Sequence, residues 1–190
     1  MRVFVALDIP QRTKDNLERS SQQFEQFANG GNFTKKENYH LTLHFLGNVE
    51  ESNLIYVQSA MDAVRYLPAP QLQINAFTLL PSGIVCAKIR HNANLSALHD
   101  KLGDKLEERG FMVEHRAYRP HVTMIRKKSF TLPFSEVTKS VDVFNMPFTC
   151  CDLVLYESVF GDSGVTYKPL YTITLKSNEK KVTTETDEQQ

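Results

Sequence analysis

His40-Leu41-Thr42-Leu43-His44-Phe45-Leu46-Gly47 alternates apolar Leu41, Leu43 and Phe45 with His40, Thr42 and His44. Successive side chains of a strand point to opposite faces, so the pattern predicts a strand. One face is apolar and suits a core; the other carries two histidines and a threonine. His121-Val122-Thr123-Met124 begins the same way, with Val122 and Met124 as the core set and His121 and Thr123 opposite them. Strict alternation puts His44 on the face of His40, as a rim histidine, and sends Phe45 to the core. It also turns Arg126 inward unless a bulge intervenes, and gives Lys127 the parity of His121.

Outward from these stretches the chain reads as alternating strands and helices. Val3 to Leu7 is a short β-rich run that Pro10 ends. Leu17, Phe24 and Phe27 recur at helical spacing over 11–27, and Gly30-Gly31-Asn32 closes that helix. Residues 52–66 predict a helix with Ser52 as cap and Leu54, Val57, Met61 and Val64 as its stripe. A strand is expected from Gln71 to Leu80, a turn at Pro81-Ser82-Gly83, and a strand from Ile84 to Ile89. The next helix, 94–109, has Asn94 as cap, Leu95, Leu98, Leu102 and Leu106 as stripe, and Gly110 at its end. Leu153–Tyr156 and Tyr171–Leu175 read as strands around a turn at Gly161-Asp162-Ser163-Gly164. Strand, helix and HxT strand thus occur twice. His121 follows His40 by 81 residues, and the same offset lays Val3–Ala6 on Ile84–Ala87, which predicts two similar lobes.

Composition sets bounds. The 190 residues hold 22 basic and 22 acidic side chains, which argues against coating nucleic acid through bulk charge but leaves room for a local phosphate site. With 41% hydrophobic residues and 12 phenylalanines the chain can bury a core. Cys86, Cys150 and Cys151 make neither a disulfide framework nor a CxxC metal pair, so they read as small buried residues of a protein in a reducing cytoplasm. The apolar run at the N-terminus is too short for a membrane span. Residues 1–176 are expected to form one bilobal domain and 177–190 a disordered tail.

Two histidines on facing strands can act as acid and base across one reacting atom. A threonine two residues on lies about 7 Å along the strand and can donate its hydroxyl to an anionic oxygen. Two such pairs suit in-line attack at phosphorus, with the hydroxyls on non-bridging oxygens and no metal required. A single HxT triplet is explained as well by a strand histidine satisfied by a local hydrogen bond. Two triplets, each on a strand and each after an amphipathic helix, are far more specific.

Arg2-Val3-Phe4-Val5-Ala6-Leu7, His40-Leu41-Thr42-Leu43 with Phe45-Leu46-Gly47, and Arg119-Pro120-His121-Val122-Thr123-Met124 with Arg126 resemble the 2H phosphoesterase superfamily. The resemblance is closer still to the bacterial RNA 2′,3′-cyclic phosphodiesterases, also called 2′-5′ RNA ligases, and covers roughly residues 1–175. It implies a bilobal α+β fold with two antiparallel sheets lining a groove and helices outside. It implies that His40 donates the proton to the leaving ribose oxygen, that His121 accepts one from water, and that Thr42 and Thr123 bind phosphate. Arg126, Lys127, His44 and Phe45 are candidate substrate contacts, while His91, His99 and His115 read as surface residues. No metal or cofactor, no membrane and no obligate protein partner is expected; the partners are RNA ends or nucleotides bearing a 2′,3′-cyclic phosphate. Two other readings stand beside hydrolysis to the 2′-phosphate. One is ATP-independent 2′-5′ ligation on the same site, since Gly30-Gly31-Asn32-Phe33-Thr34-Lys35 does not fit a P-loop. The other is an RNA-end or nucleotide binding module without turnover.

Overall fold

The computed structural model describes residues 1–126, 129–162 and 164–177. Lys127, Ser163 of the expected turn, and the tail from 178 onward lie outside the described residues. In chain order the elements are β1 (Arg2–Asp8), α1 (Gln11–Glu25), β2 (Ala28–Asn29), β3 (Asn32–Phe33), β4 (His40–Asn48), α2 (Leu54–Asp62), β5 (Gln71–Leu72) and β6 (Ile74–Leu80). There follow β7 (Ile84–Ile89), α3 (Ala93–Glu107), β8 (His121–Arg126), β9 (Ser129–Phe130), α4 (Phe134–Val137), β10 (Phe148–Thr149), β11 (Asp152–Gly161) and β12 (Gly164–Thr174). No helix among the described residues is long and apolar enough to cross a membrane.

Two four-stranded antiparallel sheets dominate, one ordered β12-β11-β1-β4 and the other β3-β8-β7-β6. Each HxT strand therefore pairs with the strand that opens its half of the chain: β4 with β1, and β8 with β7. The halves match in register as well. Asp8 pairs with His40 and Lys88 with His121, so the opening strands correspond at an offset of 80 residues, one less than the HxT strands.

The helices are exchanged between the halves. α1 leaves the first sheet but packs behind the second, where Phe24 meets Phe77 of β6 edge-on at 5.1 Å and lies parallel to Phe134 at 6.0 Å. α3 leaves the second sheet and packs behind the first, against α2 and β4. One continuous core results, and Leu95, Leu98, Leu102 and Leu106 of α3 are all buried in it. Because burial of apolar area is the dominant favourable term in folding, this exchange binds the halves into one unit.

Local details differ from the sequence expectations. Asn92, not Asn94, caps α3, its side chain accepting from the Leu95 amide at 2.9 Å. Ser52 caps nothing; a single tight turn over Glu51–Asn53 leads into α2. The stretch 71–80 is two strands in different sheets, β5 pairing with β10 and β6 with β7. Gly110 does end α3 with a left-handed φ of 84°, which Gly adopts without steric cost.

Gly103 of α3 is where helix and sheet come closest. An added Cβ would stand 3.1 Å from Cε1 and 3.3 Å from Nε2 of His44. His44 is held in place, its Nε2 donating to the His99 carbonyl at 2.9 Å and its ring stacked on His99 at 4.4 Å. A Gly-to-Ala change inside a helix ordinarily stabilises by about 1 kcal/mol. Here Gly103→Ala is expected to lower the thermal unfolding midpoint by a few degrees. Thermal denaturation of the variant checks this; an unchanged or raised midpoint would show that His44 gives way.

Candidate active site

The two HxT strands carry the same irregularity at the same place. Val5 pairs with His44 and Ala6 with Thr42, so Leu43 is an extra residue. Val85 pairs with Ile125 and Cys86 with Thr123, so Met124 is extra. A bulge breaks the two-residue alternation. Leu43 and His44 consequently both face inward, as do Met124 and Ile125. The residue after each bulge, Phe45 or Arg126, rejoins the face of the histidine and threonine.

Three sequence expectations are decided by that extra residue. His44 is not on the rim beside His40; it is buried, 4% exposed, and faces α3. Phe45 is not core; it is 64% exposed and sits 5.5 Å from the ring of Phe4, which in turn lies 4.8 Å from His40. Arg126 points out of the core, and its charge is felt at His40 and at Cys86. His99 is no ordinary surface residue either: its ring lies between those of His44 and Tyr118, at 4.4 and 4.0 Å. His91 and His115 are exposed, as expected.

Each motif histidine is oriented by its own strand. His40 Nδ1 donates to the Asn38 carbonyl at 2.7 Å, and His121 Nδ1 donates to the Arg119 carbonyl at 2.8 Å. A carbonyl only accepts, so both Nδ1 atoms carry hydrogen and both Nε2 atoms are left for other partners. His40 Nε2 takes the Thr42 hydroxyl at 3.0 Å. Across the groove the Thr123 hydroxyl interacts with the Cys86 thiol.

The histidines differ in their surroundings. The β11–β12 hairpin curls over the first sheet, and Val165 of its returning arm accepts a hydrogen bond from Asn38 Nδ2 at 2.9 Å. Tyr167 on that arm stands edge-on to His40 at 4.9 Å, and Tyr156 completes an aromatic wall with Phe4. Burial there pushes the His40 pKa down to about 4; the Asn38 carbonyl opposes this, while Arg126, Lys14 and His121 add to it. Lys14 reaches the site from α1, tied to Asp8 at 2.8 Å. His121, by contrast, is exposed, and a cavity of about 470 Å³ opens beside it, lined in part by Thr78, Lys88 and Arg119. Sequence reasoning missed Lys14, Tyr156 and Tyr167, because only the curl of the hairpin and the exchange of α1 bring them to His40.

Among the described residues no three His, Cys, Asp or Glu side chains gather to hold a metal ion. The polar groups that do converge are two imidazoles, two hydroxyls, a guanidinium and an ammonium. That set suits an anion, with hydrogen-bond donors on both sides of it and two groups able to move protons.

The family described as LigT like Phosphoesterase matches residues 7–85, a span that includes the first motif and stops before the second. Relatives extend further. The RNA 2′,3′-cyclic phosphodiesterase of Thermotoga maritima is 24% identical over 90% of this chain and 94% of its own length. That of Methanocaldococcus jannaschii is 29% identical over 88% of this chain and 97% of its own. Crystallised Escherichia coli LigT shares the fold, with a TM-score of 0.76 and 23% identity over 92% of this chain and 96% of that one. Over nearly its whole length the chain is thus similar to RNA 2′,3′-cyclic phosphodiesterases, its first half matches the LigT-like phosphoesterase family, and its fold is that of LigT.

Proposed function

We propose that the groove hydrolyses the 2′,3′-cyclic phosphate at an RNA end, or on a nucleoside, to the 2′-phosphate. What carries this reading is the pair of imidazoles, each with Nδ1 tied to the carbonyl two residues before it, which leaves Nε2 for other partners, the Thr42 hydroxyl in the case of His40. His40 gives a proton to the leaving 3′-oxygen, and His121 takes one from the attacking water. Thr42, Thr123 and Arg126 hold the non-bridging oxygens, and Phe45 stands at the rim where a ribose or base would rest. The curated relatives bearing the name RNA 2′,3′-cyclic phosphodiesterase support the same reaction. LigT crystallised with 3′-AMP, at 25% identity and a TM-score of 0.74, supports a nucleotide as occupant.

The low pKa of His40 fits this role only through the substrate. Burial keeps the imidazole neutral at pH 7. An anionic phosphate brings opposite charge and favours the protonated form. The phosphate thus helps to create the acid that cleaves its ester.

Replacing His40 or His121 by Ala is expected to lower turnover of a nucleoside 2′,3′-cyclic phosphate by about 10²–10⁴-fold, with the unfolding midpoint little changed. Near-normal turnover in either variant would remove the two-histidine mechanism. Turnover is also expected to persist in EDTA, since the proposed chemistry is proton transfer and hydrogen bonding throughout. Loss in EDTA with recovery on added zinc or magnesium would reassign the site. A third measurement is pH dependence. kcat/KM, which reports the free protein, should show the His40 ionisation near pH 4. kcat should show it at higher pH, because the bound anion raises it. The ionisation should vanish in His40→Ala; identical profiles for kcat and kcat/KM would mean that no anion sits against His40.

A further inference from the structure

The two motif strands belong to different sheets, and the distance between their histidines has to be held by something. β4 is the outer strand of its sheet, so the main-chain groups on its far side have no strand partner. One of them is taken from the other half: the Tyr118 hydroxyl donates to the Thr42 carbonyl at 2.9 Å. Thr42 is the motif threonine whose hydroxyl meets His40. Tyr118 also begins the segment that delivers the second motif, for the next residue, Arg119, supplies the carbonyl that orients His121.

The phenol ring is clamped. It stacks on His99 of α3 at 4.0 Å with only 14° between planes, and His99 stacks in turn on His44 of β4. His44 is the residue that the bulge turned inward, and Gly103 leaves it room. Three rings from three segments therefore form one column behind the groove. Burial pushes the Tyr118 hydroxyl far above its ordinary pKa, so it remains an O–H donor at every pH of interest.

We propose that Tyr118 is a positioning residue that sets the separation and alignment of His40 and His121 across the groove, through its bond to the Thr42 carbonyl and its place in the ring column. The effect on catalysis rests on the phosphoesterase reading above. The geometric effect does not. In-line displacement needs both imidazoles on one axis through phosphorus, and a misplacement of about 1 Å can cost about 10²-fold in rate.

Tyr118→Phe tests this, because it keeps the stacked ring and removes only the hydroxyl. Val57→Ala, a buried change on α2 away from the groove, serves as a control for lost stability. With a nucleoside 2′,3′-cyclic phosphate, Tyr118→Phe is expected to lower kcat by at least about tenfold with KM within about twofold. The control should leave kcat unchanged at temperatures where it stays folded. In parallel, NMR titration of the histidines without ligand follows His40 itself. Its midpoint, held low in the parent protein by burial and by the nearby charges of Arg126 and His121, should rise in Tyr118→Phe, as the half that carries those two charges moves away from His40. It should stay put in Val57→Ala. An unmoved His40 midpoint in Tyr118→Phe overturns the proposal, and so does a kcat loss that the control reproduces. If the parent protein turns over no cyclic phosphate, the function reading fails separately, and the His40 midpoint alone decides the role of Tyr118.

Discussion

One extra residue in each motif strand determines what faces the groove. A strand without a bulge would present every second side chain to one side. Leu43 and Met124 interrupt that rule, so His44 and Phe45 in one strand, and Ile125 and Arg126 in the other, change sides relative to simple alternation. The core gains two consecutive side chains at each bulge, Leu43 with His44 and Met124 with Ile125. The groove gains Phe45 on one wall and Arg126 on the other. That the interruption recurs 81 residues later, in the same relation to the histidine and threonine, is the strongest sign that the halves share an architecture.

The walls are equivalent in backbone and opposed in character. Around His40 the side chains are aromatic, because Phe4 lies beneath it and the β11–β12 hairpin lays Tyr167 against it. Around His121 the wall is open to solvent, with Lys88 directly opposite across the strand pair and Arg119 nearby. Identical hydrogen bonds to Nδ1 therefore produce two different imidazoles. One is desolvated and resists charge; the other is exposed. In the proposed mechanism, near-symmetry of the main chain would supply two placed proton carriers, and asymmetry of the side chains would separate their tasks.

Exchange of the helices gives the groove its rigidity. α1 brings Lys14 to His40 from the element that supports the opposite sheet. α3 brings His99 and Gly103 behind β4, and Tyr118 reaches across to the same strand. Loosening either half alone would disturb packing in both, which couples the integrity of the site to that of the whole core.

Much of this was readable in the residues. Apolar periodicity found both motif strands and all three long helices, and it named Leu54, Val57, Met61 and Val64, as well as Leu95, Leu98, Leu102 and Leu106, as buried stripes. The two HxT triplets put His40 with Thr42, and His121 with Thr123, on one face of their strands, and the structure keeps them there because those positions precede the bulges and obey alternation. Beyond the bulges the sequence misled. Nothing in Leu43 or Met124 marks it as the extra residue, because a bulge is set by the register of the partner strand. His44 and Phe45 were exchanged between core and surface for that reason, and Arg126 stayed undecided. The aromatic wall, Lys14 and the ring column of His44, His99 and Tyr118 join residues far apart in the chain. Local pattern determined which side chains could do chemistry; only tertiary structure, through register, hairpin curl and helix exchange, decided which of them meet.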